Sequence, residues 1–79
     1  MAKKMSSLVK GLEFETTEEY YQYIVDSKIN GNIDQCRRLY RDMPKENRKE
    51  FLSSLADHNY RFGDKQTEYE VLKLLIEEI

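Results

Sequence analysis

The sequence predicts an all-α fold: a compact bundle of about four helices, built as two consecutive helical hairpins, with a short irregular N-terminal arm. Over most of residues 16–79, apolar side chains recur at the three- and four-residue spacings of amphipathic helices. Gly31 and Gly63 each precede a helix-capping residue and divide this stretch into segments of helical length. With 79 residues, the chain is long enough for one domain only.

The N-terminal arm is predicted to comprise residues 1–13, and the helical domain residues 14–79. Met5, Leu8 and Val9 have helical spacing, but Gly11 interrupts the pattern and lowers helix propensity. We therefore expect an irregular, loosely docked arm at this end.

The first hairpin is predicted over residues 16–43. Thr16 and Glu19 have the spacing of a capping box at a helix start, and Asn30-Gly31 is a typical helix end. A second helix follows at once, with Asn32 as its N-cap. Its apolar stripe consists of Ile33, Cys36, Leu39, Tyr40 and Met43.

The second hairpin is predicted over residues 44–79. Pro44 ends the preceding helix or opens the next one, which runs to about Tyr60. Gly63 interrupts the pattern, and Asp64 is the expected cap of the last helix. The apolar residues of that last helix are Tyr69, Val71, Leu72, Leu75, Ile76 and Ile79.

The two hairpins share an offset of 32 residues, which separates Gly31 from Gly63 and aligns several apolar positions. This period is typical of helical-hairpin repeats, which bury their apolar faces by stacking. Residues 20–44, YYQYIVDSKINGNIDQCRRLYRDMP, resemble one pentatricopeptide repeat, a relative of the tetratricopeptide repeat. That resemblance implies binding of single-stranded RNA, with base-reading positions at Gln22 and near Lys49.

The residue content argues against catalysis. One cysteine and one histidine supply neither a disulfide nor a zinc ligand set. Cys36 lies on an apolar stripe and is predicted to be a buried small hydrophobe, whereas His58 is predicted at a helix end. We expect no catalytic residues, no cofactor and no metal, and therefore a protein that is not an enzyme.

The distribution of apolar residues also bears on location. No stretch approaches the roughly 20 apolar residues of a membrane span, and the N-terminus has no apolar run of signal-peptide length. We therefore expect a cytoplasmic protein that does not bind membranes. Its small size is typical of bacterial or phage regulators.

Basic residues collect around Pro44, although the net charge of the chain is −2 and its isoelectric point is about 5.4. This basic turn comprises Arg37, Arg38, Arg41, Lys45, Arg48 and Lys49. It is a candidate surface for a partner or a nucleic acid. The alternative is an ordinary helix surface neutralised by the interleaved acids Asp34, Asp42, Glu46 and Glu50.

The first predicted helix carries three tyrosines, Tyr20, Tyr21 and Tyr23, which are candidate interface aromatics. A domain of this size cannot bury all three, so at least one is expected at the surface or beneath a partner. The favoured hypothesis is a non-enzymatic interaction protein that binds a protein partner, with a homodimer as one arrangement. The alternative is nucleic-acid binding through the basic turn, with RNA favoured over DNA.

Overall fold

Five helices form the described part of the chain, which the computed structural model defines over residues 4–57 and 62–77. The helices are α1 (Met5–Gly11), α2 (Thr17–Ile29), α3 (Ile33–Asp42), α4 (Lys45–Ala56) and α5 (Lys65–Ile76). Helix α2 packs along α3, and α4 packs along α5, in agreement with the predicted hairpins. The extents of 30 × 24 × 23 Å describe a bundle, not an elongated array.

Helix α1 corrects the prediction of an irregular N-terminal arm. The segment Met5–Gly11 is helical and packs on α2, burying Leu8 and Val9 to 8% exposure each. Gly11 does not break this helix because it lies in the final turn, next to the point where the helix ends. The bundle therefore has one helix more than the four expected.

Helix α2 is the centre of the bundle. It packs against α1, α3 and α5, and Tyr20, Ile24 and Val25 have no exposed surface. Complete burial of side chains of this size stabilises a fold by about 1.5–3 kcal/mol each. The wide apolar arc of this helix reflects contact on several sides.

Two of the predicted helix caps are confirmed. The Thr16 hydroxyl accepts from the Glu19 amide at 3.2 Å, and the Glu19 carboxylate accepts from the Thr16 amide at 3.1 Å. At α5, the Asp64 carboxylate accepts from the Thr67 amide at 2.8 Å. These bonds satisfy amides that the first helical turn leaves unpaired.

Asn32 is the N-cap residue of α3, as predicted, but its side chain makes no capping hydrogen bond. The Asn32 backbone has φ −86° and ψ 67°, outside the extended conformation that directs an N-cap side chain towards the helix. Gln35, three residues on, donates from Nε2 to the Ser27 hydroxyl at 2.9 Å. This hydrogen bond between α2 and α3 therefore holds the two helices together beside the turn that connects them.

A buried carboxylate of α5 holds Phe62, which lies shortly before this helix. Glu68 is 1% exposed, and its Oε2 accepts from the Phe62 amide at 3.1 Å. The Phe62 carbonyl accepts from Gln22 Nε2 at 3.1 Å, which joins the same residue to α2. Phe62 itself is 4% exposed, so both hydrogen bonds hold a core residue in place. The predicted end of the preceding helix, near Tyr60, and His58 lie outside the described residues.

The length and apolar character of the helices bear on whether any of them could cross a membrane. Within residues 4–57 and 62–77, no helix combines the length and apolar character needed to cross a bilayer.

Helices α1 and α2 end in the same hydrogen-bonded backbone motif. The residue with positive φ in this motif is Glu13 after α1 and Gly31 after α2. After α2, the amides of Gly31 and Asn32 donate to the carbonyls of Lys28 and Ser27, and Gly31 has φ 81°. After α1, the amides of Glu13 and Phe14 bond in the same pattern, but Glu13 has φ 61°. This left-handed conformation favours glycine, so Glu13 is strained and Gly31 is not.

We expect opposite effects from exchanging the residue at these two positions. Glu13→Gly should raise the free energy of unfolding by about 0.5–1 kcal/mol, because glycine relieves the strain. Gly31→Ala should lower it by about 1 kcal/mol, although a Cβ there would meet no atom within 4 Å. Urea denaturation of the two variants measures both effects, and changes of the same sign would contradict this interpretation.

Candidate interaction surfaces

The structure divides the basic turn into two groups. Arg37 and Arg48 are half-buried, whereas Arg38, Arg41, Lys45 and Lys49 are exposed. Arg38 and Arg41 share one face of α3, and Lys45 and Lys49 share one face of α4, because each pair has helical spacing. The residues Met43 and Pro44 join the two helices, so the exposed charges follow one another around a single bend.

Ion pairing involves only part of this set. Arg37 Nη2 lies 3.8 Å from Glu77 Oε2, which links α3 to the end of α5. Among the described residues, no carboxylate lies within ion-pair distance of the four exposed cations. The interleaved acids of the same segment therefore do not form the expected salt bridges with them.

Two of the three candidate interface tyrosines are core residues. Tyr20 is fully buried and donates its hydroxyl to the Leu39 carbonyl at 2.6 Å. Tyr21 is 2% exposed and donates to Glu50 Oε1 at 2.8 Å. Only Tyr23 is half-buried, with its ring edge-to-face against Phe14 at 5.5 Å. The prediction that these tyrosines form a partner surface is therefore wrong for Tyr20 and Tyr21.

The structure gives different surroundings to the two positions that the repeat resemblance assigns to base reading. Gln22 donates from Nε2 to Asp26 Oδ1 at 3.0 Å and to the Phe62 carbonyl, so its amide nitrogen is engaged within the fold. Lys49 is exposed on α4. The two hydrogen bonds of Gln22 give this residue a structural role in the bundle.

Of the four large apolar side chains that are exposed among the described residues, two lie on α5, which the sequence did not single out. Tyr69 is 58% exposed and Ile76 is 53% exposed, while Leu72 between them is half-buried. Their spacing of three and four residues places them on one helix face. Beside this face, an open groove of about 410 Å³ is lined by Leu55 of α4 and by Lys65, Gln66, Tyr69 and Leu72 of α5. We refer to this surface as the α4–α5 groove.

A sequence signal for this groove was present in the width of the apolar arc on α5. Val71 and Leu75 are buried and face the core, whereas Tyr69 and Ile76 occupy a second side. One apolar stripe is enough to dock a surface helix on the core, so α5 does not need its second apolar side for docking.

Two observations describe the groups that could react with or bind a metal in the described residues. Burial raises the pKa of the Cys36 thiol to about 11, which disfavours the reactive thiolate at neutral pH. No group of three or more His, Cys, Asp or Glu residues in the described ranges is placed to hold a metal ion. Cys36 is fully buried, as predicted for a small core residue.

Alkaline solution is expected to destabilise the domain through its buried phenols. Burial raises the pKa of Tyr21 from the ordinary 10.0 to about 12, and burial with the nearby Asp42 carboxylate raises that of Tyr20 further. Because these folded-state pKa values exceed the unfolded ones, the stabilisation is complete below pH 10 and is lost as the pH rises towards 12.

Urea denaturation below pH 10 and at about pH 11 measures this loss. Tyr20→Phe should lose less stability between the two conditions than the unaltered chain does. Tyr69→Phe, at a ring that is 58% exposed, should lose as much as the unaltered chain. Equal losses in all three proteins would contradict the assignment.

Comparisons with known protein families, with curated proteins and with solved structures gave no match. The resemblance of residues 20–44 to a pentatricopeptide repeat is therefore not supported by a family match.

Proposed function

We propose that this chain is a non-enzymatic interaction protein that binds a partner protein through the α4–α5 groove. The observation that carries the proposal is the exposure of Tyr69 and Ile76, at 58% and 53%, beside an apolar groove. Contiguous exposed apolar surface on a small domain marks an interaction site, and tyrosine is enriched at such interfaces. A small cytoplasmic regulator or inhibitor of bacterial or phage origin is the class of protein we infer.

The lining of the groove favours a macromolecular partner over a small ligand. Its volume of about 410 Å³ falls in the range of ligand pockets, but the groove is open along the side of two helices. Lys65 and Gln66 are its only polar lining residues among those described, and both are exposed. Small-ligand sites instead enclose most of the ligand and place several polar groups around it.

The proposal is tested by capture of a partner from native lysate with and without nuclease. The tagged full chain should retain a protein that nuclease treatment does not release. The double variant Tyr69→Ser with Ile76→Ser should retain at least tenfold less, because two exposed apolar anchors at the centre of an interface each contribute about 1–2 kcal/mol.

A matched control separates this effect from a general loss of apolar surface. Ile29 is 59% exposed at the end of α2, on a different helix from Tyr69 and Ile76. Ile29→Ser should therefore retain the partner as well as the unaltered chain does. Equal retention by the groove variant, or release of the retained protein by nuclease, would count against the proposed site.

Nucleic-acid binding through the basic turn is the second candidate function. It is favoured by one observation: Arg38, Arg41, Lys45 and Lys49 are exposed, and no described carboxylate lies within ion-pair distance of them. Exposed basic side chains bind phosphates, and such binding weakens steeply as the salt concentration rises. Against it stands the overall charge of −2.

Titration of a fluorescent single-stranded RNA, at low and at high salt, tests this second candidate. Replacing Arg38 and Arg41 with glutamine should weaken binding by roughly tenfold at low salt and reduce its salt dependence. The matched control replaces Lys4 and Lys10 of the α1 region with glutamine, because these lysines are also exposed. If the two double variants bind equally, the basic turn is not the RNA site, and no binding at low salt removes the candidate altogether.

A further inference from the structure

The turn between α2 and α3 contains the only asparagine of the sequence that a glycine follows. The other asparagines, Asn32, Asn47 and Asn59, precede isoleucine, arginine and tyrosine. In an asparagine–glycine pair, the glycine nitrogen can attack the carbonyl carbon of the asparagine side chain, because glycine has no side chain to obstruct the approach. Asn30 and Gly31 are both exposed, so water and dissolved bases reach the reacting groups.

The reaction is a ring closure followed by hydrolysis. The Gly31 nitrogen loses its proton to a base in solution and bonds to Cγ of Asn30. The Cγ–Nδ2 bond breaks, and the side-chain nitrogen takes a proton from water and leaves as ammonia. Water then opens the succinimide ring at one of its carbonyl carbons. Addition at Cγ gives aspartate, whereas addition at the main-chain carbonyl gives isoaspartate, in which the backbone runs through Cγ.

The folded turn holds these groups in an unreactive arrangement. The Gly31 amide donates to the Lys28 carbonyl at 3.1 Å, so a hydrogen bond holds the proton that must be lost. Asn30 has ψ 2°, which eclipses the Gly31 nitrogen with the Asn30 backbone nitrogen and turns it away from the side chain. Ring closure therefore requires the turn to open and ψ to rotate.

The surroundings of the turn favour such opening. Asn30, Gly31 and Asn32 are exposed, and a Cβ at Gly31 would have no atom within 4 Å. The hydrogen bonds that close the turn include the Asn32 amide to the Ser27 carbonyl, at 2.8 Å, and Gln35 Nε2 to the Ser27 hydroxyl, at 2.9 Å. Exposed hydrogen bonds at helix ends open at a far smaller free-energy cost than the core does.

We propose that Asn30 is a site of spontaneous deamidation, and that opening of the α2–α3 turn sets the rate of this reaction. Because ammonia is lost to the solvent, the change does not reverse. The new carboxylate places negative charge at the C-terminal end of α2, where the helix dipole is already negative. Isoaspartate also lengthens the backbone, which disrupts the hydrogen bonds that the amides of Gly31 and Asn32 make to α2. Deamidation therefore weakens the central helix of the bundle.

The rate of deamidation in the folded chain and in concentrated urea tests the proposal. Both samples are kept at neutral pH and at the same temperature. Peptide mapping by mass spectrometry follows the exchange of the Asn30 amide for a carboxyl and separates aspartate from isoaspartate. Asn30 should react before the other asparagines in both samples. The folded chain should react at least about tenfold more slowly, because only the fraction with an open turn reacts.

A matched pair of variants tests whether the turn controls the rate. Gln35→Ala removes the hydrogen bond to Ser27 beside the turn and should raise the rate in the folded chain by roughly twofold to tenfold, with no change in urea. Gln66→Ala removes a hydrogen bond from the exposed side of α5, where Gln66 Nε2 donates to Glu70 Oε1 at 3.2 Å. This second variant should leave both rates unchanged.

The deamidated chain should also unfold at a lower urea concentration than the fresh chain. Asn30→Gln closes the ring far more slowly, so its urea midpoint should not fall over the same period. Equal rates in the folded chain and in urea, earlier reaction at another asparagine, or equal rates in the two folded alanine variants would each overturn the proposal. An unchanged midpoint after deamidation would also overturn it, as would an intact Asn30 in the folded chain after about a hundred of the half-lives measured in urea.

Discussion

Burial of α2 on several sides is the constraint from which the rest of the bundle follows. Tyr20 and Tyr21 carry hydroxyl groups into the core, where an unpaired polar group costs about 1–3 kcal/mol. Their acceptors are the Leu39 carbonyl of α3 and the Glu50 carboxylate of α4, at 2.6 and 2.8 Å. The two hydroxyls therefore join α3 and α4 to α2 by hydrogen bonds. Leu8 of α1 covers a further part of the same core.

Tertiary packing also breaks the internal symmetry of the sequence. The 32-residue offset pairs Tyr20 with Leu52 and Tyr23 with Leu55. Tyr20 and Leu55 are buried, whereas the residues paired with them are only half-buried. Equivalent positions thus occupy different environments: the more buried residue belongs to α2 in the first pair and to α4 in the second. The hairpins are alike in local pattern but not in their place in the fold.

Local chemistry made much of this fold predictable from the sequence. The Thr16–Glu19 box, the positive φ at Gly31 and the Asp64 cap depend on neighbours within a few residues, so their spacing was sufficient. The docking of α1 was not predictable, since it depends on the surface that α2 offers to Leu8. Which tyrosines face inward was not predictable either, because Tyr21 and Tyr23 both lie on a wide apolar arc and only tertiary packing distinguishes them. The groove escaped prediction for the same reason.

This acidic chain uses part of its negative charge inside the fold. Several of its carboxylates serve the fold: Glu19 and Asp64 cap helices, Glu50 receives the Tyr21 hydroxyl, and Glu68 holds Phe62. Lys65 and Lys73 have no comparable role among the described residues, and they stand beside the largest exposed apolar side chains of α5. A carboxylate that accepts a hydrogen bond from a neutral donor keeps its charge, so these roles do not change the net charge of −2. The acidic side chains that make this chain negative therefore also begin its helices and join them.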